Sequence, residues 1–344
     1  MAPGMVNNSK LRYSKNKLKL HKVFFAVCTL LLFSAFLLIA GCSSAPKEPK
    51  ESFKIKNQAA EYTQFGNQYY NKAKYVQALN FFNLALKHNI SINNRKGMIF
   101  SYNSIGKVYF AMNNIDQAYA MYSRAYKLAE EVNKPVPLAQ SANNIGEYYL
   151  NKKKFDRALE MFNQALPLAE KAEKNNIFEA AVLYHNIGTV YKSKGNYDKS
   201  IEYLTKALDI NMQKESYAET AANYYMLSSV YSKQGNYETA LSYAQKALSF
   251  DKKSENTTGI AQDLYALGLI SEKAGNTEAA YDYYSSSYQV YTVLELKNGI
   301  QKALLKMSKT AEALGKTDEA NKYKEKIKNL KPNNSDTADT LQGE

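Results

Sequence analysis

The sequence predicts an all-α fold, a solenoid of stacked helix–turn–helix units, and three observations carry that prediction. From residue 62 to residue 330 the chain repeats itself. Aligning "YTQFGNQYY", "YNSIGKVYF", "ANNIGEYYL", "YHNIGTVYK", "YMLSSVYSK", "LYALGLISE" and "LKMSKTAEA" places a small residue at Gly66, Gly106, Gly146, Gly188, Ser228, Gly268 and Ser308. The spacings are 40, 40, 42, 40, 40 and 40, which composition alone does not produce. Small residues then recur in the same register, at Ala78, Ala118, Ala158, Ser200, Ala240, Ala280 and Ala320, and again at Ala85, Ala125, Ala165, Ala207, Ala247 and Ser287. Between the first small position of a unit and the second lie turn signals such as "KGNYD", "QGNYE" and "AGNTE", in which Gly stops one helix and Asn or Asp opens the next.

The chain begins with a different kind of segment. Lys10, Arg12, Lys15, Lys17, Lys19 and Lys22 form a basic lead-in with no acidic residue before Cys42, and Val23 to Ala40 run without a charge. A positive flank before an apolar core is the layout of an export signal. Ile39-Ala40-Gly41-Cys42 resembles the bacterial lipobox, in which small residues admit a peptidase and the cysteine thiol takes a diacylglycerol. The resemblance implies a lipoprotein-type signal at 1–41, lipidation of Cys42 and a membrane anchor. An uncleaved single span would tether the chain as well. Ser43 stands where an Asp favours inner-membrane retention in enterobacterial lipoproteins, so the outer membrane, facing the periplasm, is implied for a Gram-negative cell envelope.

Composition narrows the rest. Cys28 would leave with the signal, so Cys42 would be the one cysteine of the mature protein, which excludes an intrachain disulfide or a cysteine-based zinc site. The formal charge of +13 loses the six basic residues of the leader, leaving 39 Lys+Arg against 32 Asp+Glu. That remainder is dispersed, without an Arg cluster, and argues against a nucleic-acid partner. Residues 42–56 carry Pro, Lys and Glu with no apolar period through Ser52 and read as a lipidated cysteine with a flexible tether.

Residues 57–330 hold the seven repeats as one domain, because no single unit buries its apolar face alone. Small residues at fixed intervals on two consecutive helices let the axes approach, and larger side chains fill the space around them. Tyr69, Tyr109, Tyr149, Tyr191 and Tyr231, three residues after each small position, are the expected large partners. The pattern small–x2–Tyr, turn, Ala–x6–Ala resembles the tetratricopeptide repeat, which implies a right-handed superhelix. The usual unit has about 34 residues, so some six more must lengthen its helices. The long repeat of kinesin light chain is the nearest form, and its "NNLA" looks like "NNIG" at Asn143–Gly146 and "HNIG" at His185–Gly188. The likeness weakens at the end, where Ser271 and Ala311 replace the tyrosine and Lys328 an apolar residue, as expected of a capping unit. Pro167 should kink its helix. Residues 331–344 are polar and unpatterned and read as a disordered tail.

Catalytic chemistry finds no constellation here. The histidines are His21, His88 and His185, and Ala181, Val182 and Thr189 offer His185 no partner ligand at helical spacing. The glycines follow the repeat rather than a phosphate loop, and no nucleophile elbow occurs. The expectation is therefore no enzyme, no cofactor, no metal and no small-molecule substrate. The 29 tyrosines fall mostly in packing register, so base stacking is not invoked for them.

On each first helix, the residues three before, one after and four after the small position form one stripe, which in the resembled family lines a groove that binds extended peptides. The candidate groove residues are Asn67, Asn103, Lys107, Asn143, Asn144, Glu147, His185, Asn186, Lys192 and Tyr225. Asn costs a helix roughly 0.5 kcal/mol relative to Ala, so several in mid-helix call for a reason. A side-chain amide, with a donor and an acceptor, suits the backbone of a peptide, while Lys107 and Lys192 would select acidic side chains. These asparagines are expected to lie off the packing positions, so that alanine in their place would spare stability. The implied function is a lipid-anchored envelope scaffold or adaptor for a protein or peptide partner. The alternative is an assembly or pilotin-like component of a secretion, pilus or outer-membrane machine.

Overall fold

The computed structural model describes residues 50–171 and 177–330, without the side chains of 177–179. The chain divides into two units, Met1–Ile55 and Lys56–Glu344. Of the first, the described part is residues 50–55, the opening of a helix. The signal, Cys42 and the 331–344 tail lie outside the described residues. Among the described residues no helix is long and apolar enough to cross a membrane.

Fourteen helices follow one another in those residues. They are α1 (Lys50–Asn71), α2 (Tyr75–Ser91), α3 (Arg95–Ala111), α4 (Ile115–Glu131), α5 (Pro135–Asn151), α6 (Phe155–Lys171) and α7 (Ile177–Ser193). After these come α8 (Tyr197–Gln213), α9 (Tyr217–Lys233), α10 (Tyr237–Lys253), α11 (Thr257–Lys273), α12 (Thr277–Val293), α13 (Lys297–Ala313) and α14 (Thr317–Asn329). Odd-numbered helices are the first and even-numbered the second helices of seven repeats. From α2 to α13 every helix has 17 residues, so the lengthening over the usual unit is shared by both helices. The fold is the all-α helix–turn–helix solenoid that the period predicts. Helix α1 begins at Lys50, inside the stretch 42–56 expected to be a tether. Lys and Glu are good helix formers, Glu51 suits the first turn, and Pro49 stands just before it.

Among the described residues each turn takes one residue through the left-handed region. In the later repeats it is Gly195 (φ 77) or Gly235 (φ 79), as the turn signals predict, but in the earlier ones it is Asn113 (φ 58) or Lys153 (φ 56). The next N–H then returns to the helix it has left, Asn114 to the Tyr109 carbonyl at 2.8 Å and Asn196 to that of Tyr191 at 2.9 Å. Asn196 and Asn236 open the following helices, each side-chain oxygen accepting a backbone N–H, of Lys199 and Thr239, at 3.2 Å.

The small position packs against a residue that the sequence pattern does not single out. A Cβ on Gly106 would lie 2.4 Å from the Tyr122 ring, and one on Gly146 would lie 2.4 Å from Phe162. Both partners stand sixteen residues downstream on the second helix and are fully buried. Where Ser228 replaces the glycine, the residue sixteen on shrinks to Ala244, which keeps the gap filled without overlap. The tyrosines expected in that role are only half-buried. They cover the site from outside, as Tyr191 stacks on Tyr203 (centroids 5.7 Å apart) and Tyr231 on Tyr243 (5.3 Å).

Second helices pack on the following first helices, and consecutive first helices from α3 to α11 also touch directly. The end of the stack is polar. In α14 Ala320 is the one buried residue, with Lys and Glu elsewhere facing water, which matches a capping repeat. Helix α6 continues through Pro167 to Lys171.

Candidate functional site

The candidate groove residues sit on α1, α3, α5, α7 and α9, and the structure ties five of the ten to each other. Between repeats 2 and 3, the Asn103 amide donates to the Ser141 hydroxyl at 3.0 Å and its oxygen accepts from the Asn144 amide at 3.0 Å. The Ser141 hydroxyl donates in turn to the Pro137 carbonyl at 2.9 Å. Between repeats 3 and 4, the Asn186 amide donates to Asn143 Oδ1 at 2.9 Å and to Glu147 Oε1 at 3.2 Å, while Asn143 donates to the same Glu147 oxygen at 2.8 Å. Between repeats 4 and 5, His185 Nδ1 donates to Asn223 Oδ1 at 2.8 Å, and Lys192 Nζ donates to the Ser229 hydroxyl at 3.2 Å.

This ladder corrects the expectation about the asparagines. Asn103 and Asn144 are buried at 7% and 3% exposure, so they are packing residues, and removing one strands the polar groups of its partners. Asn143, Glu147, His185, Asn186 and Lys192 are half-buried. Asn67 and Lys107 are exposed, and Tyr225 keeps 37% of its surface. Sequence reasoning missed Ser141, Asn223 and Asp263, whereas Ser229 stands on the stripe, one residue after the small position. The three missed residues share a signal, for each stands five residues before the small position, as Ser101 does in repeat 2.

Electrostatics distinguish the stretch around Lys192. Burial, then the charge of neighbouring Lys233, pushes its ammonium down to about 8. Among the described residues no carboxylate forms an ion pair with either lysine. Burial also lowers the His185 imidazole below its usual range, against the effect of the Asn223 bond and with help from the Lys192 charge. Lys306, by contrast, already holds Glu272 at 3.0 Å. The face thus offers oriented amides and one desolvated cation without a counter-ion, and among the described residues no group of three or more His, Cys, Asp or Glu stands ready for a metal.

The comparisons agree with this architecture. The tetratricopeptide-repeat family model matches residues 97–171 and 179–253. Both matched stretches are tetratricopeptide repeats. Solved structures with the same fold include the apo form of RapI, at TM-score 0.58 and 18% identity over 78% of this chain and 96% of that one. Aspartyl phosphate phosphatase F from Bacillus subtilis aligns at 0.61 and 15% identity over 91% and 83%. The Rap conjugation gene regulator of the plasmid pLS20, in complex with the Phr* peptide, aligns at 0.60 and 19% over 83% and 79%. A search of the curated proteins finds no sequence match. A tetratricopeptide scaffold of this kind is suited to binding a protein or peptide partner.

Proposed function

We propose that this tetratricopeptide-repeat protein is a non-catalytic scaffold, lipid-anchored in the bacterial cell envelope, that binds an acidic peptide segment along its first helices. The observation that carries the reading is the half-buried, unpaired Lys192 beside Lys233, bracketed by amides that the ladder holds in fixed orientation. A desolvated ammonium without a counter-ion gains more from an incoming carboxylate than one already in water. The Phr* peptide bound to a protein of the same fold lends support to the ligand class. The anchor rests on the Ile39-Ala40-Gly41-Cys42 exit and the basic flank before it.

A photo-crosslinking residue at position 107, beside the groove, tests the binding reading in intact cells. It should capture a protein that Lys192→Glu loses, and capture unaffected by that change would sink it. Cys42→Ser tests the anchor separately: it should leave an unprocessed chain that takes up no labelled palmitate.

A second reading, as an assembly component of an envelope machine, has its own support in exposed apolar side chains off the stripe. Val76 is 60% exposed, Ile90 51% and Val293 81%. Crosslinks formed from those positions, and unaffected by Lys192→Glu, would favour it.

A further inference from the structure

The boundary between repeats 5 and 6 holds two carboxyls where the earlier boundaries hold neutral groups. Asp251, in the last turn of α10, and Asp263, in the middle of α11, are 5% and 2% exposed and hydrogen-bonded to each other. Asn256 Nδ2 donates to Asp251 Oδ1 at 3.0 Å, and its own oxygen caps the helix by accepting from the Gly259 N–H at 3.2 Å. Gly259 makes the room, since a Cβ there would lie 1.9 Å from Asp251 Oδ2. Asp263 Oδ2 is buried, and no amide, hydroxyl or ammonium group donates to it.

The surroundings offer no compensating charge. The titratable groups that face Asp263 are the phenols of Tyr225 from α9 and Tyr291 from α12, besides Asp251 itself. Among the described residues no Lys, Arg or His forms an ion pair with either carboxyl. Two carboxyls that share a hydrogen bond need one proton between them, and a dry pair with no cation nearby gives it up reluctantly. Burial, then the Asp251 charge and their mutual bond, pushes the Asp263 carboxyl up to about 8.

We propose that the Asp251–Asp263 pair is a proton-operated latch between repeats 5 and 6. With the shared proton in place α10 and α11 stay stacked, and its loss opens that boundary while the repeats on either side remain folded. The direction follows from linkage. The closed pair keeps a proton that an opened, hydrated pair would release near its ordinary carboxylate value. Closure is therefore strongest in acid, weakens as pH rises toward 8 and changes no further above it. Because Tyr225 carries exposed surface on the first-helix face, opening here also alters the last part of that face.

Hydrogen exchange of the full chain, followed by mass spectrometry between pH 5 and 9 and corrected for the intrinsic rate, tests the latch. Amides of residues 250–265 should lose protection by up to about tenfold per pH unit below 8, while those of α3 to α6 stay level. Asp263→Asn supplies a permanent donor to Asp251 and should flatten the profile. Where that variant folds poorly, Asp251→Asn makes the same test from the other side. Wild-type protection that is flat with pH, or lost equally across all repeats, overturns the proposal. So does an asparagine variant that follows the wild-type profile.

Discussion

The boundary between repeats 2 and 3 and that between repeats 5 and 6 share one backbone plan and differ in what fills it. In the first, Asn103, Ala129 and Ser141 occupy three register positions; in the second, the same positions hold Tyr225, Asp251 and Asp263. Ala129 leaves space for an amide and a hydroxyl that satisfy each other, and nothing there titrates near neutrality. Asp251 fills that space with a carboxyl, which forces a glycine at position 259 and a shared proton. A repeat scaffold can thus keep its packing register while its boundaries differ in response to pH, because register is set by the small and large apolar positions and not by the buried polar ones.

The largest effect should come from filling the space on which the second boundary depends. Gly259→Ala drives a methyl into Asp251, whose carboxyl is held by Asn256 and Asp263 and has nowhere to retreat. Overpacking of this kind costs about 1–3 kcal/mol. Urea unfolding should show it as a lower midpoint, with an added early transition if the boundary opens alone. The matching residue at the first boundary is Pro137, with an alanine opposite, so no equivalent clash is available there.

Next in size is the loss of the neutral bridge. Asn103→Ala strands Ser141 and Asn144, and an unsatisfied buried group costs about 1–3 kcal/mol, reduced here because Ser141 retains its bond to the Pro137 carbonyl. A double-mutant cycle with Asn144→Ala should give a coupling of at least about 0.5 kcal/mol. Additive losses would show that the two amides do not act as a pair. The cost of Asn103→Ala should not change between pH 5 and 8, in contrast with any variant of the Asp251–Asp263 pair.

How much of this was legible in the sequence follows from what periodicity measures. A fixed spacing reports how often a position faces a neighbour, so the seven units, the two helices of each and the small residues between them could be read directly. Gly195 and Asn196 could be read as a stop and a start because each acts within its own turn. The use of Asn103, Asn144 and Asn186 could not be read. Their partners lie about forty residues away, and the rise and twist that bring them together are properties of the stack rather than of any one helix. The partner of the small position was missed for a related reason. Tyr is conspicuous three residues on, whereas the residue sixteen on varies among Phe, Tyr, Leu and Ala in the first six units and is Lys324 in the capping one, since it must complement whatever stands opposite.

A third boundary sharpens the comparison from the acid side. His185 bridges repeats 4 and 5 with its imidazole held below its usual value by burial, so the unfolded chain takes up a proton more readily than the folded one. Its contribution to stability is complete above the ordinary histidine value and is lost as pH falls through the lowered one. His185→Gln keeps a donor toward Asn223 and removes the titration. The variant should therefore lose less stability than wild type between pH 7 and pH 5 in urea unfolding. Equal acid sensitivity would place the effect elsewhere.

The smallest effect lies in the turns that link these boundaries, and it separates backbone strain from side-chain chemistry. The turn between repeats 2 and 3 passes through Asn133 at φ 50, and the one between repeats 5 and 6 through Glu255 at φ 54. Asn tolerates the left-handed region because its short side chain bonds locally, whereas Glu carries the full clash of its Cβ with the following carbonyl. Glu255→Asn should therefore stabilise the chain by about 0.5 kcal/mol, and Asn133→Glu should destabilise it by a similar amount. Both changes fall outside the buried polar positions, so neither should alter the response of its boundary to pH. A Glu255→Asn variant whose junction no longer loosens with rising pH would assign the sensitivity to the strained turn, and take it from the carboxyl pair.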